Sequence, residues 1–251
     1  MIDGARQREQ RAGTPARAYR YYDLVMALFV TVLLLSNIAS SAKVIDWGVS
    51  LFGLELAFDA GTLLFPLSYI FGDVLTEVYG YKRSRRVIWA GFGAAGLMAL
   101  TFWLVSALPG EEAWQQYAGQ GAYDAILGGV SSGAIIVASL VAYFAGEFSN
   151  SYVMAKMKIW TAGRFLWMRT IGSTLVGQSI DTVLFITTAT LLGVFPWSLA
   201  LSLIVTNFLF KVGIEALMTP VTYRITNLLK RAENEDYFDY DTDFNPFQVG
   251  V

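Results

Sequence analysis

FPLSYIFGDVLTEVYGYKRSRR occupies residues 65–86. The stretch begins apolar and aromatic and ends in a cluster of bases, the pattern of a membrane helix running into an aqueous loop. Two acids, Asp73 and Glu77, interrupt the apolar run four residues apart. At that spacing they share one helix face. An ionised side chain at mid-bilayer costs about 2.5–3.5 kcal/mol on insertion scales, so such groups face a bundle interior. The helix therefore needs neighbours, and the rest of the chain has to supply them.

Composition points the same way. The 251 residues are 55% hydrophobic and 15% charged, whereas soluble domains carry about 25% charged residues. Cysteine and histidine are absent, which removes disulfides, thiolate nucleophiles, cysteine or histidine metal sites and histidine proton shuttles. No phosphate-binding G-x-x-x-x-G-K-[ST] loop and no G-x-S-x-G elbow occur. The expectation is a non-enzyme with no cofactor, no metal and no nucleic-acid partner. Self-association into a homo-oligomer is left open.

About 20 apolar residues cross a bilayer as a helix. Six stretches qualify: Leu24 to Val44, Ala60 to Tyr79, Val87 to Leu108, Ala125 to Phe148, Thr170 to Gly193, and Trp197 to Pro220. All but two of the 18 Lys and Arg fall in the N-terminal arm, in the segments between spans two and three and between spans four and five, and after span six. The alternate segments carry acids instead, among them Asp46, Glu55, Glu111 and Asp124. The positive-inside rule then places both termini in the cytoplasm. The predicted fold is all-α, a polytopic bundle of six transmembrane helices. Residues 1–21 form a basic arm without a cleavable signal, and 22–230 the membrane domain. Residues 231–251, with six acids and no base beyond Arg231, read as a disordered cytoplasmic tail.

Several polar groups lie inside the spans. Asp73 and Glu77 are on span two, Glu147 on span four, Gln178 and Asp181 on span five, Asn37 on span one, and Asn207, Lys211 and Glu215 on one face of span six. Stripes of this kind, brought together, line one cavity. Asp73 and Asp181 have no partner within their own helices, so a functional role leads for them. Glu77 and Glu147 lie near bases at the helix ends, where reaching toward the headgroups explains them as well. Glu215 can neutralise Lys211 one turn away, or Lys211 can pair across to Asp73 or Asp181; the interhelical partner is favoured. Two intramembrane aspartates also raise the idea of an aspartyl protease, in which paired carboxylates share a proton. The sequence before Asp73 lacks the first glycine of that context.

The same residues carry a resemblance. SNIASSAKV (36–44), Phe65-Pro66, Gly72-Asp73-Val74, Glu77-Val78-Tyr79-Gly80 and the basic loop Tyr81 to Arg86, with GQSIDTVLFI (177–186) and FKVGIEALMTPVTYRI (210–225), closely resemble the queuosine precursor transporters, once called the vitamin uptake transporter family. The likeness covers nearly all of Tyr22 to Lys230. It implies a six-helix protein of the cell inner membrane that imports 7-deazaguanine precursors (preQ0 or preQ1 type) of a tRNA modification. Such a flat base donates N–H groups in parallel, which a carboxylate accepts. On that implication Asp73, Asp181, Gln178, Asn37, Asn207, Lys211, Glu77 and Glu215 are the expected substrate-binding or proton-coupling residues. The expected transport is secondary or facilitative. The alternative is a substrate-binding subunit that depends on an external ATPase.

Overall fold

The computed structural model describes residues 18–51, 54–131, 133–193 and 196–248. Eight α-helices are seen among them: α1 (Tyr22–Ala42), α2 (Phe65–Tyr79), α3 (Tyr81–Ala107), α4 (Glu112–Tyr117), α5 (Gly119–Ser131), α6 (Gly133–Trp160), α7 (Leu166–Leu191) and α8 (Trp197–Glu233). Four segments are long and apolar enough to cross a membrane: Tyr22–Ala39, Tyr81–Ala107, Leu166–Leu191 and Leu203–Glu233.

The molecule is inverted relative to a water-soluble protein. Leu97, Leu100, Trp103, Leu201, Leu209 and Leu217 are exposed, while Asp73, Glu77, Arg169, Thr222 and Glu215 are buried. Hydrocarbon solvates the leucines at no cost, and ionisable groups avoid it by facing inward. The apolar core forms around α2, where Ile70, Val74, Leu75, Val78 and Tyr79 pack on Tyr22, Val25 and Phe29 of α1 and on Val87 of α3. Helix α2 is only 15 residues long, roughly 22 Å at 1.5 Å per residue. It follows a 3₁₀ turn, Ala60–Leu64, and touches α1, α3, α6 and α8.

The most extensive helix pair is α6 with α7, and glycine explains their closeness. A Cβ on Gly146 would stand 2.7 Å from Cβ of Asp181, and one on Gly177 would stand 2.7 Å from Cβ of Asn150. Small residues let membrane helices approach this closely.

Three expectations need correction. The chain is not purely helical: Val44–Leu51 (β1) and Leu54–Asp59 (β2) form an antiparallel hairpin, pairing Val44 with Asp59 and Leu51 with Leu54. The sequence reading placed this segment outside the spans and put no strand there. The segment's backbone groups find partners in a ladder, and its β-branched and aromatic content suits one. Two helices also outrun their spans. Helix α6 continues past Phe148 to Trp160, and α8 passes through Pro220 to Glu233. Hydropathy ends where charge begins, but backbone hydrogen bonding does not. Residue 132, between α5 and α6, lies outside the described residues, as does the N-terminal arm up to residue 17.

The third correction concerns the acidic tail, which is folded against the bundle. The Glu233 carboxylate accepts from the backbone N–H groups of Arg20 (2.9 Å) and Tyr21 (2.6 Å) and from the Tyr79 hydroxyl (3.0 Å). It thereby caps the start of α1, where unpaired N–H groups favour a carboxylate. Asp239 does the same for α3, accepting from the N–H of Tyr81 at 3.1 Å, and Thr242 donates to it at 2.7 Å. Burial pushes the Asp239 carboxyl above its ordinary range, against those hydrogen bonds. Arg85 donates to the carbonyls of Asp243 (3.0 Å) and Asn245 (2.5 Å), and the Trp89 indole to that of Pro246 (2.8 Å). The acids read as solvated in sequence are consumed as helix caps. The contacts also bring Tyr19 to Tyr22, the 79–86 segment, the α6–α7 turn and the end of α8 together at one end of the bundle, so the basic segments share a face.

Candidate functional site

Two polar layers lie beneath that end. The outer layer is built on Glu77. Arg169, the fourth residue of α7, grips it with two bonds, Nε to Oε2 at 2.7 Å and Nη2 to Oε1 at 2.6 Å. Lys230 of α8 lies 2.5 Å from the same Oε1, and Lys158 of α6 lies 3.5 Å from it. Lys158 also donates to the Glu77 carbonyl at 2.6 Å. Glu77 is 0% exposed and Arg169 1%. Asp236 of the tail closes the layer from outside, 2.5 Å from Lys158 and 2.8 Å from Lys230. Burial works to raise the Asp236 carboxyl, but hydrogen bonds from the two lysines outweigh it and hold it below the ordinary range. Glu77 is thus a structural keystone rather than a headgroup-seeking residue, and its three cations come from parts read as loops.

The inner layer surrounds Asp73, one turn along α2. The Asp73 carboxyl lies against the Asn150 amide of α6 and against the carboxyl of Glu215 on α8, with Glu147 also in electrostatic reach. Glu147 sits over Gly72, where a Cβ would stand 3.7 Å from Oε2. It also feels Asp181 and Lys211. Lys211 of α8 pairs with Asp181 of α7 at 2.7 Å. The interhelical partner is therefore Asp181, and Glu215, one turn away, faces Asp73.

The unsatisfied atoms here are mostly acceptors. Apart from a proton shared between the two carboxyls, Asp73 Oδ2 and both Glu215 oxygens are buried without a donor among the described residues, and Asn150 Oδ1, Gln178 Oε1 and the Thr182 hydroxyl are buried with no hydrogen-bond partner among them. Buried polar atoms in proteins are normally paired, so a group of orphaned acceptors asks for a donor. No basic side chain is available for Asp73 in the contacts above, because Arg169, Lys158 and Lys230 are engaged by Glu77.

Asn37 and Asn207 stand apart from this layer. Their amides donate to their own helices, Asn37 to the Leu33 carbonyl at 2.8 Å and Asn207 to that of Leu203 at 2.9 Å. Asn37 Oδ1 also accepts from Ser139 at 3.4 Å. The structure thus brings Asp73 to Glu215 and Asp181 to Lys211, sets Glu77 in the layer above, buries Gln178 on α7, and has the Asn37 and Asn207 amides donating to their own helices. The lesser alternative, an aspartyl dyad, finds no paired aspartates in these contacts: Asp181 is held by Lys211 while Asp73 faces Glu215. Arg169, Lys158, Lys230 and Asp236 escaped the sequence reading. Its one available hint was that a fully buried Glu77 would need more than one cation from the nearby basic segments. Asn150, three residues from Glu147 on one face of α6, was visible as a polar pair.

Comparison with known proteins adds an independent line. The family described as "Putative vitamin uptake transporter" matches residues 59–225. A Bacillus subtilis (strain 168) protein named "Probable queuosine precursor transporter" is 29% identical over 209 residues, covering 83% of this chain and 87% of that protein. No solved structure matches.

Proposed function

Because the chain belongs to the vitamin uptake transporter family, a family of transporters and not of enzymes, we propose that this multi-pass membrane protein imports a 7-deazaguanine queuosine precursor across the plasma membrane. The Bacillus relative's name supplies the substrate class, and the inner polar layer supplies the chemistry. The observation that carries the reading is the set of buried, unpaired acceptors on Asp73, Glu215, Asn150 and Gln178. A 7-deazaguanine presents a ring N–H and an exocyclic amine side by side, and a carboxylate accepts both in parallel. Asp73 is the group for that pair, because it is buried and one of its oxygens is open. Asn150 and Gln178 accept further N–H groups.

Glu215 beside Asp73 has a second consequence. Two acceptor-only carboxylates in contact repel each other unless a proton or a ligand N–H lies between them. Arrival of the substrate replaces one donor by another, which makes proton exchange on binding a natural accompaniment of transport. Lys211 neutralises Asp181 and keeps the net charge of the layer within what a buried site tolerates. Six crossings with both termini in the cytoplasm agree with the basic segments sharing one end.

The test is binding and uptake by the purified chain. Calorimetry with a 7-deazaguanine base should detect binding to the wild type and none to Asp73→Asn, with both proteins equally abundant in the membrane. In liposomes holding no other protein the wild type should accumulate or equilibrate the base. Binding without liposome uptake would move the assignment to a capture subunit that needs an external ATPase. No binding of any deazaguanine would sink the substrate assignment.

A further inference from the structure

Between the two polar layers α8 presents a buried hydroxyl stripe. It comprises Thr219, Thr222 and Thr226, running from Glu215 to Lys230 at helical spacing. The buried hydroxyls of α7, Thr170, Ser173 and Thr174, lie on the side of that helix that carries Gly177 and Asp181 and packs on Gly146 and Asn150 of α6. Helices α7 and α8 pack together, and the Lys211–Asp181 pair fixes their register. Several of these hydroxyls bond their own helix, Thr219 to the Glu215 carbonyl at 2.9 Å and Ser173 to that of Thr170 at 3.0 Å, as hydroxyls in membrane helices do. The Thr226 hydroxyl, one turn inside Lys230, is buried and has no partner among the described residues.

Beyond Thr226 lies the Glu77 layer, whose joins differ in strength. The Glu77–Arg169 join is bidentate and fully buried, the strongest class of charge pair. The Asp236 joins to Lys158 and Lys230 are exposed on one side, the Asp236 side chain being 48% accessible. Such exposed pairs contribute little and break easily. Asp236 belongs to a strap whose far part is fixed elsewhere. Asp239 caps α3, Arg85 and Trp89 hold carbonyls beyond it, and Phe244 packs on Tyr81 at 4.9 Å and Phe247 on Phe144 at 5.7 Å. The strap therefore ties the end of α8 to α3 and α6 across the end of α2. Any displacement of α8 that draws Lys230 off Glu77 has to break the Asp236 join to Lys158 or pull the strap from α3.

We propose that the substrate leaves the Asp73 layer past the hydroxyl stripe of α8, and that the C-terminal strap is the gate at its end, with Asp236 as the gating residue. The direction of substrate movement rests on the transport reading above, but the gate itself is testable without any substrate. The native chain lacks cysteine, so Thr226→Cys is a near-isosteric reporter inside the gate, and Ser36→Cys, buried in α1, is a control on the far half. Both are labelled with an impermeant maleimide in inverted and right-side-out vesicles. With the strap intact, position 226 should label slowly from either face.

Ending the chain after Glu235 should speed labelling at least about tenfold, equivalent to about 1.4 kcal/mol removed from the closed state. The gain should appear only from the face bearing the termini, while position 36 stays protected. Asp236→Asn should give a smaller increase on the same face. Unchanged labelling of position 226 in both variants would overturn the gate, as would equal gains at positions 226 and 36. If the shortened chain fails to reach the membrane, Asp236→Asn decides alone, since a half-exposed side chain is not needed for folding. Deazaguanine binding, measured separately, reports the substrate assignment and does not move with the labelling result.

Discussion

Replacing Glu77 by Gln isolates what the outer layer contributes. The substitution preserves shape but removes the charge that Arg169, Lys158 and Lys230 share. All three cations keep some other partner. Lys158 and Lys230 retain Asp236, and Arg169 retains the carbonyls of Arg164 at 2.6 Å and Gly163 at 3.2 Å. Arg169 loses its only carboxylate in these contacts while remaining 1% exposed. Stranding one member of a buried pair costs about 3–5 kcal/mol, and the retained carbonyl bonds place this case near about 3. A chain of this size shifts its Tm by about 2–4 °C per kcal/mol. Glu77→Gln should therefore melt roughly 6–12 °C below the wild type in detergent, read by tryptophan fluorescence, with lowered membrane abundance. Adding Arg169→Met should recover part of the loss, because the orphaned charge is what hurts. A Glu77→Gln protein as stable as the wild type would refute the keystone reading and return Glu77 to the substrate path.

Lys211→Met should cut membrane abundance by stranding Asp181, and Asp181→Asn should restore abundance but not uptake. Rescue by Glu215→Gln instead would show that the pair seen at 2.7 Å is not the one that matters. Gly80 has φ +84° and a Cβ there would run into the Tyr237 ring, so Gly80→Ala should cost more than the ~1–3 kcal/mol of backbone strain alone and displace the strap, read as faster proteolysis of the C-terminus with full-length abundance as the control. Cysteines at Gln115 and Tyr240, both exposed, should label from opposite faces of the membrane in intact cells and inverted vesicles. Labelling of both from one face would overturn the topology.

Much of this protein is legible without coordinates because hydropathy and charge are local properties. A run of about 20 apolar residues is a membrane helix whatever it packs against, and the basic segments mark one face by composition alone. The intramembrane acids were visible for the same reason, since a carboxylate in such a run is anomalous wherever it points. Which partner each acid takes is not local. Glu77 meets Arg169 across 92 residues and Lys230 across 153, and nothing in the spacing of α2 selects them over a headgroup. Lys211 had three candidate acids, and the α7–α8 register chose Asp181 while turning Glu215 toward Asp73. The tail shows the limit most plainly. Its acids have the composition of a solvated segment, and only the assembled bundle offers the helix N-termini and lysines that Glu233, Asp236 and Asp239 satisfy. Composition decides which solvent a segment tolerates, whereas a binding partner for a charge exists only once distant helices have packed.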